Sequence, residues 1–284
     1  MSSALCEFVR RHPRLFVLTG AGVSTASGIP DYRDAEGRWK RKPPVNLADF
    51  LGSAAARRRY WSRSMRGWPV VARARPNAAH EALARLQAAA RVAHLVTQNV
   101  DGLHQRAGSD AVIELHGNLG RVACTACGHV IERGDLQQWL EAANPSYAGR
   151  CAAQAPDGDA DVELAHGDAF EVPDCPACGG VLKPDVVFFG DAVPRLRVEQ
   201  ALAALDQSDA VLALGTSLML YSGFRFCDRA QRSGKPIAAV NLGRTRADPL
   251  LTLKVERPCA QVLEELVTGL ALPAAGAAFR CSTP

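Results

Sequence analysis

Nowhere in this 284-residue sequence is there an uninterrupted apolar run long enough to span a bilayer, and residues 1–14 carry no apolar core before Leu15. Membrane insertion and export are not expected. Charge of one sign is scarce: 33 Lys and Arg stand against 29 Asp and Glu, and the arginines are scattered apart from short runs such as Arg57-Arg58-Arg59. No nucleic-acid partner is demanded. The glycine-rich segment lacks the third glycine of the ordinary dinucleotide fingerprint, and no acid ends a second strand as a ribose ligand, which argues against a hydride-transferring dehydrogenase. The acidic run at 155–161 lacks calcium chemistry, because Val162 stands where an EF-hand needs glycine and Asp168 where it needs glutamate. The nine cysteines do not read as a bridging framework. Cys6, Cys151, Cys227, Cys259 and Cys281 lie singly, so a reducing cytoplasm is the expected setting.

What the sequence does hold is a pair of matched thiol knuckles. Cys124/Cys127 and Cys175/Cys178 are each C-x-x-C followed by glycine (Gly128 and Gly179), which lets the backbone fold back beneath an ion held by two thiolates. Four thiolates fill a tetrahedral shell and leave no position for water or substrate. The expectation is one structural zinc ion that takes no part in catalysis. Two unrelated thiol pairs and a redox C-x-x-C are the competing readings, the second weakened by the presence of two matching pairs. With 48% hydrophobic and 22% charged residues, the chain can bury one large core and a smaller one.

The apolar run at 15–19 ends in Gly20-Ala21-Gly22 and reads as a buried strand entering a tight turn and then a helix, the phosphate-binding position of an α/β sheet. Asn77 reads as the cap of a helix reaching residue 90. Strands are expected over 92–97, 112–115, 185–189, 209–215 and 236–241, and helices over 198–206, 223–232 and 260–270. The alternation predicts an α/β fold, a doubly wound Rossmann-like parallel sheet formed by residues 1–33, 76–118 and 184–272. Residues 34–75, with Trp39, Trp61, Trp68 and a Lys-Pro-Pro turn at 42–44, read as a helical insert with an aromatic core. Residues 119–183 read as a smaller zinc-binding module, and 273–284 as a frayed tail.

Longer runs name the ligand chemistry. They are Gly20-Ala-Gly-Val-Ser-Thr-Ala-Ser-Gly-Ile-Pro-Asp-Tyr-Arg33, Thr97-Gln-Asn-Val-Asp-Gly-Leu-His104, Glu114-Leu-His-Gly117, Gly215-Thr-Ser-Leu218 and Val240-Asn-Leu-Gly243. Together they closely resemble the sirtuins, in the right order around both cysteine pairs and over residues 14–270. Within that family the likeness is nearest to the class II members, the type found in animal mitochondria. It is carried by Asp31-Tyr32-Arg33, Arg59-Tyr60-Trp61, Gly67-Trp68-Pro69, the loop at 156–159 and Tyr221-Ser222-Gly223.

The residues themselves suit phosphate and amide recognition. Gly20 and Gly22, with Ala21 between them, let backbone amides approach a pyrophosphate, and Ser24 adds a hydroxyl donor. Gln98, Asn99 and Asp101 follow the strand ending at Thr97, at the carboxyl edge where open α/β sheets bind ligands. The resemblance implies that these three, with Ile29 and Asp31, grip the nicotinamide half of NAD, and that Tyr32 and Arg33 belong to the same cofactor site. It also implies that Gly215, Thr216, Ser217, Asn241, Leu242 and Gly243 hold the adenosine half, with Cys259 lending its backbone to adenine.

By the same resemblance NAD is consumed as a co-substrate. The acyl oxygen of an acyl-lysine attacks the nicotinamide ribose, nicotinamide leaves, and His116 as general base, with Asn99 beside it, activates a ribose hydroxyl against the alkylamidate. The products are free lysine, nicotinamide and O-acyl-ADP-ribose. An acylated lysine on a protein or peptide would enter by strand addition between residues 187–190 and the loop after Gly215. Two alternatives stay open: mono-ADP-ribosyl transfer from the same site, and an NAD-sensing zinc module without catalysis. Tyr32, Asp191 and Leu220-Tyr221-Ser222 depart from the better-studied deacetylases, and Tyr60 with Arg63 resembles a pair that holds acidic acyl groups elsewhere in the family. The acyl preference is therefore open.

Overall fold

The computed structural model describes residues 2–40, 45–147, 153–154, 160–161 and 170–273. The Lys-Pro-Pro turn, Cys151, residues 155–159, Val162, Asp168 and the tail from 274 lie outside the described residues. The main sheet is built from β1 (Leu15–Thr19), β2 (Val92–Thr97), β3 (Ile113–Glu114), β9 (Ala210–Leu214), β10 (Ile237–Val240) and β11 (Leu253–Val255). Every pairing in it is parallel, in the order β11-β10-β9-β1-β2-β3. The chain leaves β1 toward β2 and β3 on one side and returns to β9 on the other. That reversal opens a crevice beyond the carboxyl ends of β1 and β9, where such sheets take ligands.

Both faces of this sheet are covered, so its strands are apolar throughout rather than alternating with polar residues. Leu15, Val17, Leu212 and Val240 face one core with helices α1 (Ser2–Arg11), α4 (Ala78–Ala88) and α9 (Cys259–Gly269). Phe16, Leu18, Val211 and Ala239 face the other with α7 (Arg195–Asp206) and α8 (Tyr221–Arg232). This is the doubly wound sheet that the alternation predicts.

The rest of the chain builds a second half with its own core. Helices α2 (Leu47–Gly52) and α3 (Ala54–Arg73) form the insert, each started by a side-chain cap: Asn46 accepts from the Asp49 amide and Ser53 from the Ala56 amide. Beside them, β4 (Gly117–Cys124), β5 (Val130–Glu132) and β8 (Leu182–Val186) form a three-stranded antiparallel sheet with α6 (Arg133–Ala143) against it. Phe50, Trp61, Met65, Leu136, Leu140, Phe188, Cys124 and Cys175 share one cluster, so insert and cysteine module are fused through a single core. Arg133 is buried within it, its guanidinium 4.7 Å from the Trp68 ring centre and 5.5 Å from that of Trp61. A two-residue ribbon of β6 (Ala153–Gln154) and β7 (Ala160–Asp161) completes the strands of the described residues.

Three expectations need correction. The strand expected at 185–189 is β8, shifted to Leu182–Val186 and paired with β4 in the small sheet, not in the main one. The segment after Gly20 is two short 3-10 turns, Ala21–Val23 and Thr25–Ser27, and not an α-helix, so no long helix dipole points at the crevice there. The strand at 112–115 shortens to the edge pair Ile113–Glu114.

Candidate functional site

The glycine turn is shaped by close approach. An added Cβ on Gly22 would lie 2.9 Å from Gly215 Cα and one on Gly20 2.6 Å from Thr216 Cβ, while Gly215, at φ +56, would meet Val23 N at 2.5 Å. The turn after β1 and the turn after β9 thus touch backbone to backbone. Their amides are spent on that contact: Gly20 N–H donates to Leu214 O at 3.0 Å and Gly22 N–H to Gly215 O at 2.8 Å. In this structure the glycines make the crevice narrow instead of aiming those two amides into it.

Around this turn the run after β2 forms a polar cluster. Asn99 Nδ2 donates to Gly20 O at 3.1 Å and to Ser24 Oγ at 3.0 Å, and Ser24 Oγ donates to Asp101 Oδ2 at 2.7 Å. In this structure the single hydroxyl proton of Ser24 goes to Asp101. Asp101 Oδ1 also accepts from the Leu103 amide at 2.9 Å. Burial pushes the Asp101 carboxyl above its ordinary range, while the Leu103 amide and Ser24 hydroxyl pull against it. Gln98 Nε2 donates to Thr216 Oγ1 at 3.0 Å and to Thr19 O at 3.2 Å, tying β2 to the turn after β9. The helix expected at Asn77 is present, and Asn77 Nδ2 reaches Val23 O at 2.9 Å, bracing the same turn from α4.

His116 stands where β3 passes into β4. Gly117 follows it at φ +89, and an added Cβ there would lie 2.0 Å from Asp185 O, so only glycine allows β8 to close against this corner. His116 Nδ1 lies 3.0 Å from Gln98 O, and Nε2 lies 3.0 Å from Ser222 Oγ. A carbonyl oxygen can only accept, so Nδ1 carries the proton. Nε2 of the neutral ring is then the acceptor, receiving the Ser222 hydroxyl proton. Burial lowers the His116 pKa below the ordinary imidazole value; the Gln98 carbonyl opposes this, and Arg225 and Arg197 add to it. Ser222 was legible only as a member of Tyr221-Ser222-Gly223. Its position against the base was not, because the two residues are 106 positions apart in the chain.

The remaining predicted residues form a rim. Ile29 is buried, and Asp31 is held by Lys40. Tyr32 meets Trp39 edge-on at 6.0 Å, and the Arg33 guanidinium lies 4.0 Å over the Trp39 ring and donates to Gly37 O at 2.7 Å. This rim segment docks on the turn after β10: Arg244 N–H donates to Ala35 O at 2.7 Å, and Gly243 leaves no room there for a Cβ. Asn241 Nδ2 folds back to Leu242 O at 3.0 Å, Leu242 is exposed, and the backbone of Ser217 accepts from Arg246 N–H at 2.8 Å. Cys259 opens α9 with its thiol buried against Val240 O, and burial pushes that thiol up to about 12. All these residues lie at one edge of the sheet. Glycine backbone, an amide, a carboxylate and hydroxyls gathered there fit a dinucleotide that offers phosphates, ribose hydroxyls and a carboxamide.

The sulfur atoms of Cys124, Cys127, Cys175 and Cys178 lie within 4.8 Å of one another, with Cys124–Cys178 at 3.5 Å and Cys127–Cys175 at 3.8 Å. Zn–S bonds of about 2.3 Å at tetrahedral angles require S–S edges of about 3.8 Å, so the set fits zinc. Gly128 and Gly179 take φ +73 and +72, the turn that folds each knuckle beneath its pair. Amides of Cys127 and Ala126 pull the Cys124 thiol down to about 6, while the crowded neighbouring sulfurs push that of Cys178 up to about 12, so the four cannot all be thiolates without a cation among them. The knuckles and His116 sit at opposite ends of β4, about 20 Å apart by strand rise. An ion held there would belong to the scaffold.

Known proteins resemble this chain in sequence and in fold. The chain is 60% identical over 265 residues to an NAD-dependent protein deacetylase of Bordetella bronchiseptica, covering 93% of this chain and 97% of that protein. It is 61% identical over 260 residues to one of Xanthomonas campestris, covering 92% and 89%. Among solved structures, a Sir2 protein with a p53 peptide and NAD superposes with a TM-score of 0.79 at 27% identity, covering 95% of this chain and 99% of that one. Another, Sir2 bound to acetylated peptide, gives 0.78 at 26% identity, covering 96% and 100%. Residues 20–222 match the model of the Sir2 family, a span that begins at the glycine turn and ends at the serine on His116. With the crevice, the histidine corner and the cysteine cluster all in place, the chain belongs to the Sir2 family.

Proposed function

We propose that this protein is an NAD-dependent protein lysine deacylase in which His116 is the general base. The observation that carries the reading is the tautomer of His116: Gln98 O holds the proton on Nδ1, so Nε2 keeps the basic lone pair, which the Ser222 hydroxyl occupies in this structure and a ribose hydroxyl would take over. A nucleotide sensor has no use for a base so arranged. NAD, when bound, supplies the ribose carbon that takes the acyl oxygen and the nicotinamide that leaves. Asn99 and Asp101 would hold carboxamide and ribose, and the paired turns at Gly20–Gly22 and Gly215–Ser217 would receive the phosphates and adenosine half. His116 Nε2 would take a ribose hydroxyl proton, worth about 10²–10⁴ in rate. Zinc would hold the small half together without touching substrate.

The finer reading is that the enzyme is of the class II type, resembling the mitochondrial lipoamidase and ADP-ribosyltransferase sirtuin of animals, and acts in a reducing cytoplasm. Supporting the first is Ser222, which belongs to the Tyr-Ser-Gly run and stands against the base itself. Supporting the second are the unbridged thiols Cys6, Cys227 and Cys259 beside the four of the cluster. The test is incubation with NAD and acetyl, long-chain, glutaryl and lipoyl lysine peptides, with products followed by mass spectrometry. Nicotinamide and O-acyl-ADP-ribose in equal amounts support deacylation. ADP-ribosylated protein without free lysine supports transfer instead, and NADH overturns both.

A further inference from the structure

A cavity of about 570 Å³ opens beside His116, lined by Asp191, Val193, Arg195, Glu199, Ser222 and Arg225. It lies between the segment after residue 190 and the start of α8, each the chain continuation of one of the two segments, 187–190 and the loop after Gly215, between which the acylated peptide is proposed to enter. Its charges are mostly matched from within. Glu199 pairs with Arg195 at 2.6 Å, and Asp191 faces Lys183 at 3.9 Å. Arg197, behind this wall, pairs with Asp185 at 3.3 Å. Arg225 is the exception: among the described residues no carboxylate pairs with it, and its Nε is buried without a partner. Its guanidinium carbon lies 5.3 Å from the centre of the Tyr221 ring, a cation–π contact that uses none of its N–H donors.

A half-buried guanidinium that lies over an aromatic ring and lacks an acid is arranged to receive one, because its forked donors match a carboxylate. From this we infer that Arg225 selects substrates carrying a carboxylate close to the scissile acyl-lysine bond, a specificity that rests on the deacylase reading above. The carboxylate has two chemical sources, an acidic residue beside the modified lysine or an acidic acyl chain. Its arrival would also offset the positive field of Arg225 on His116, strengthening the base as the substrate docks.

Two substrate arms separate the sources. The first compares acetyl-lysine peptides with Glu or Gln at each position flanking the lysine. The second compares glutaryl-lysine with its neutral amide on one uncharged peptide. In at least one arm kcat/KM is expected to favour the carboxylate by about fivefold or more, shrinking at high salt. Arg225→Gln should bring that ratio near one, and Arg225→Glu should invert it in favour of Lys-flanked peptides. Because the readout is a ratio within each variant, a general loss of activity does not obscure it. Ratios near one in both arms, or a preference that survives Arg225→Gln, overturn the assignment while leaving deacylation intact. Absence of any NAD-dependent turnover overturns the deacylase reading and this inference with it.

Discussion

At the residue scale, the chemistry rests on one imidazole whose two nitrogens are assigned by unlike partners. His116→Ala should lower acyl removal by about 10²–10⁴-fold while the melting temperature stays near wild type. A variant with near wild-type turnover would end its assignment as base. The pH dependence follows from the depressed pKa: the neutral ring is the active form, so kcat/KM should fall as pH drops through a midpoint below the usual 6.5 or so. A midpoint above 7 in a pH series would contradict the burial argument. The base was legible in the sequence, because Glu-Leu-His-Gly stands at a strand end in company with the other runs. Its serine and arginine neighbours were not, since contacts from α8 to the β3–β4 corner arise only when the sheet is wound.

At the element scale, short apolar runs such as Leu15–Thr19 and Ala210–Leu214 were legible because burial on both faces writes an unbroken hydrophobic word. β4 was not, since its glycines, Asn118 and Arg121 obscure any simple alternation. Its first residue nonetheless leaves a Cβ less room than any other glycine among the described residues. Gly117→Ala should cost at least about 2 kcal/mol, from a positive φ and a clash with Asp185 O, and should lower activity through the tilt of His116. Denaturant unfolding beside single-turnover rates would test it, and a neutral effect would refute the corner's rigidity. A second element-scale prediction concerns α4 and α5 (Leu103–Arg106), whose His80 and His104 rings lie 4.8 Å apart. Burial holds His80 down at about 4 and His104 at about 3. Both are neutral when folded and take protons more readily when unfolded, so stability should be full above about 6.5 and decline as pH falls toward 4. The slope should approach about 1.4 kcal/mol per pH unit for each ring. His80→Gln should remove roughly half of it, read from unfolding midpoints between pH 6.5 and 4.5.

At the scale of the whole molecule, the chain divides its labour between two halves. The doubly wound sheet carries the crevice, and the fused insert and cysteine module close over it. All four tryptophans, Trp39, Trp61, Trp68 and Trp139, lie in the second half or in the rim that packs on it: Trp39 meets Phe189 at 5.3 Å, Trp61 is fully buried in the shared core, and Trp139 sits on α6. Tryptophan emission therefore reports on that half alone, while far-UV dichroism reports on both. The cysteine cluster and Trp61 share a core, so removing zinc should loosen the insert as well as the knuckles. Chelation, or Cys175→Ser, should shift and weaken the tryptophan signal and abolish deacylation, while much of the helical dichroism survives in the sheet and its five covering helices. Restoring zinc to the chelated wild type should return emission and activity together. If emission and dichroism instead collapse in one transition, the two halves are a single cooperative unit. If activity persists after the metal is gone and the tryptophans are exposed, closure of the small half over the crevice is not needed for the reaction.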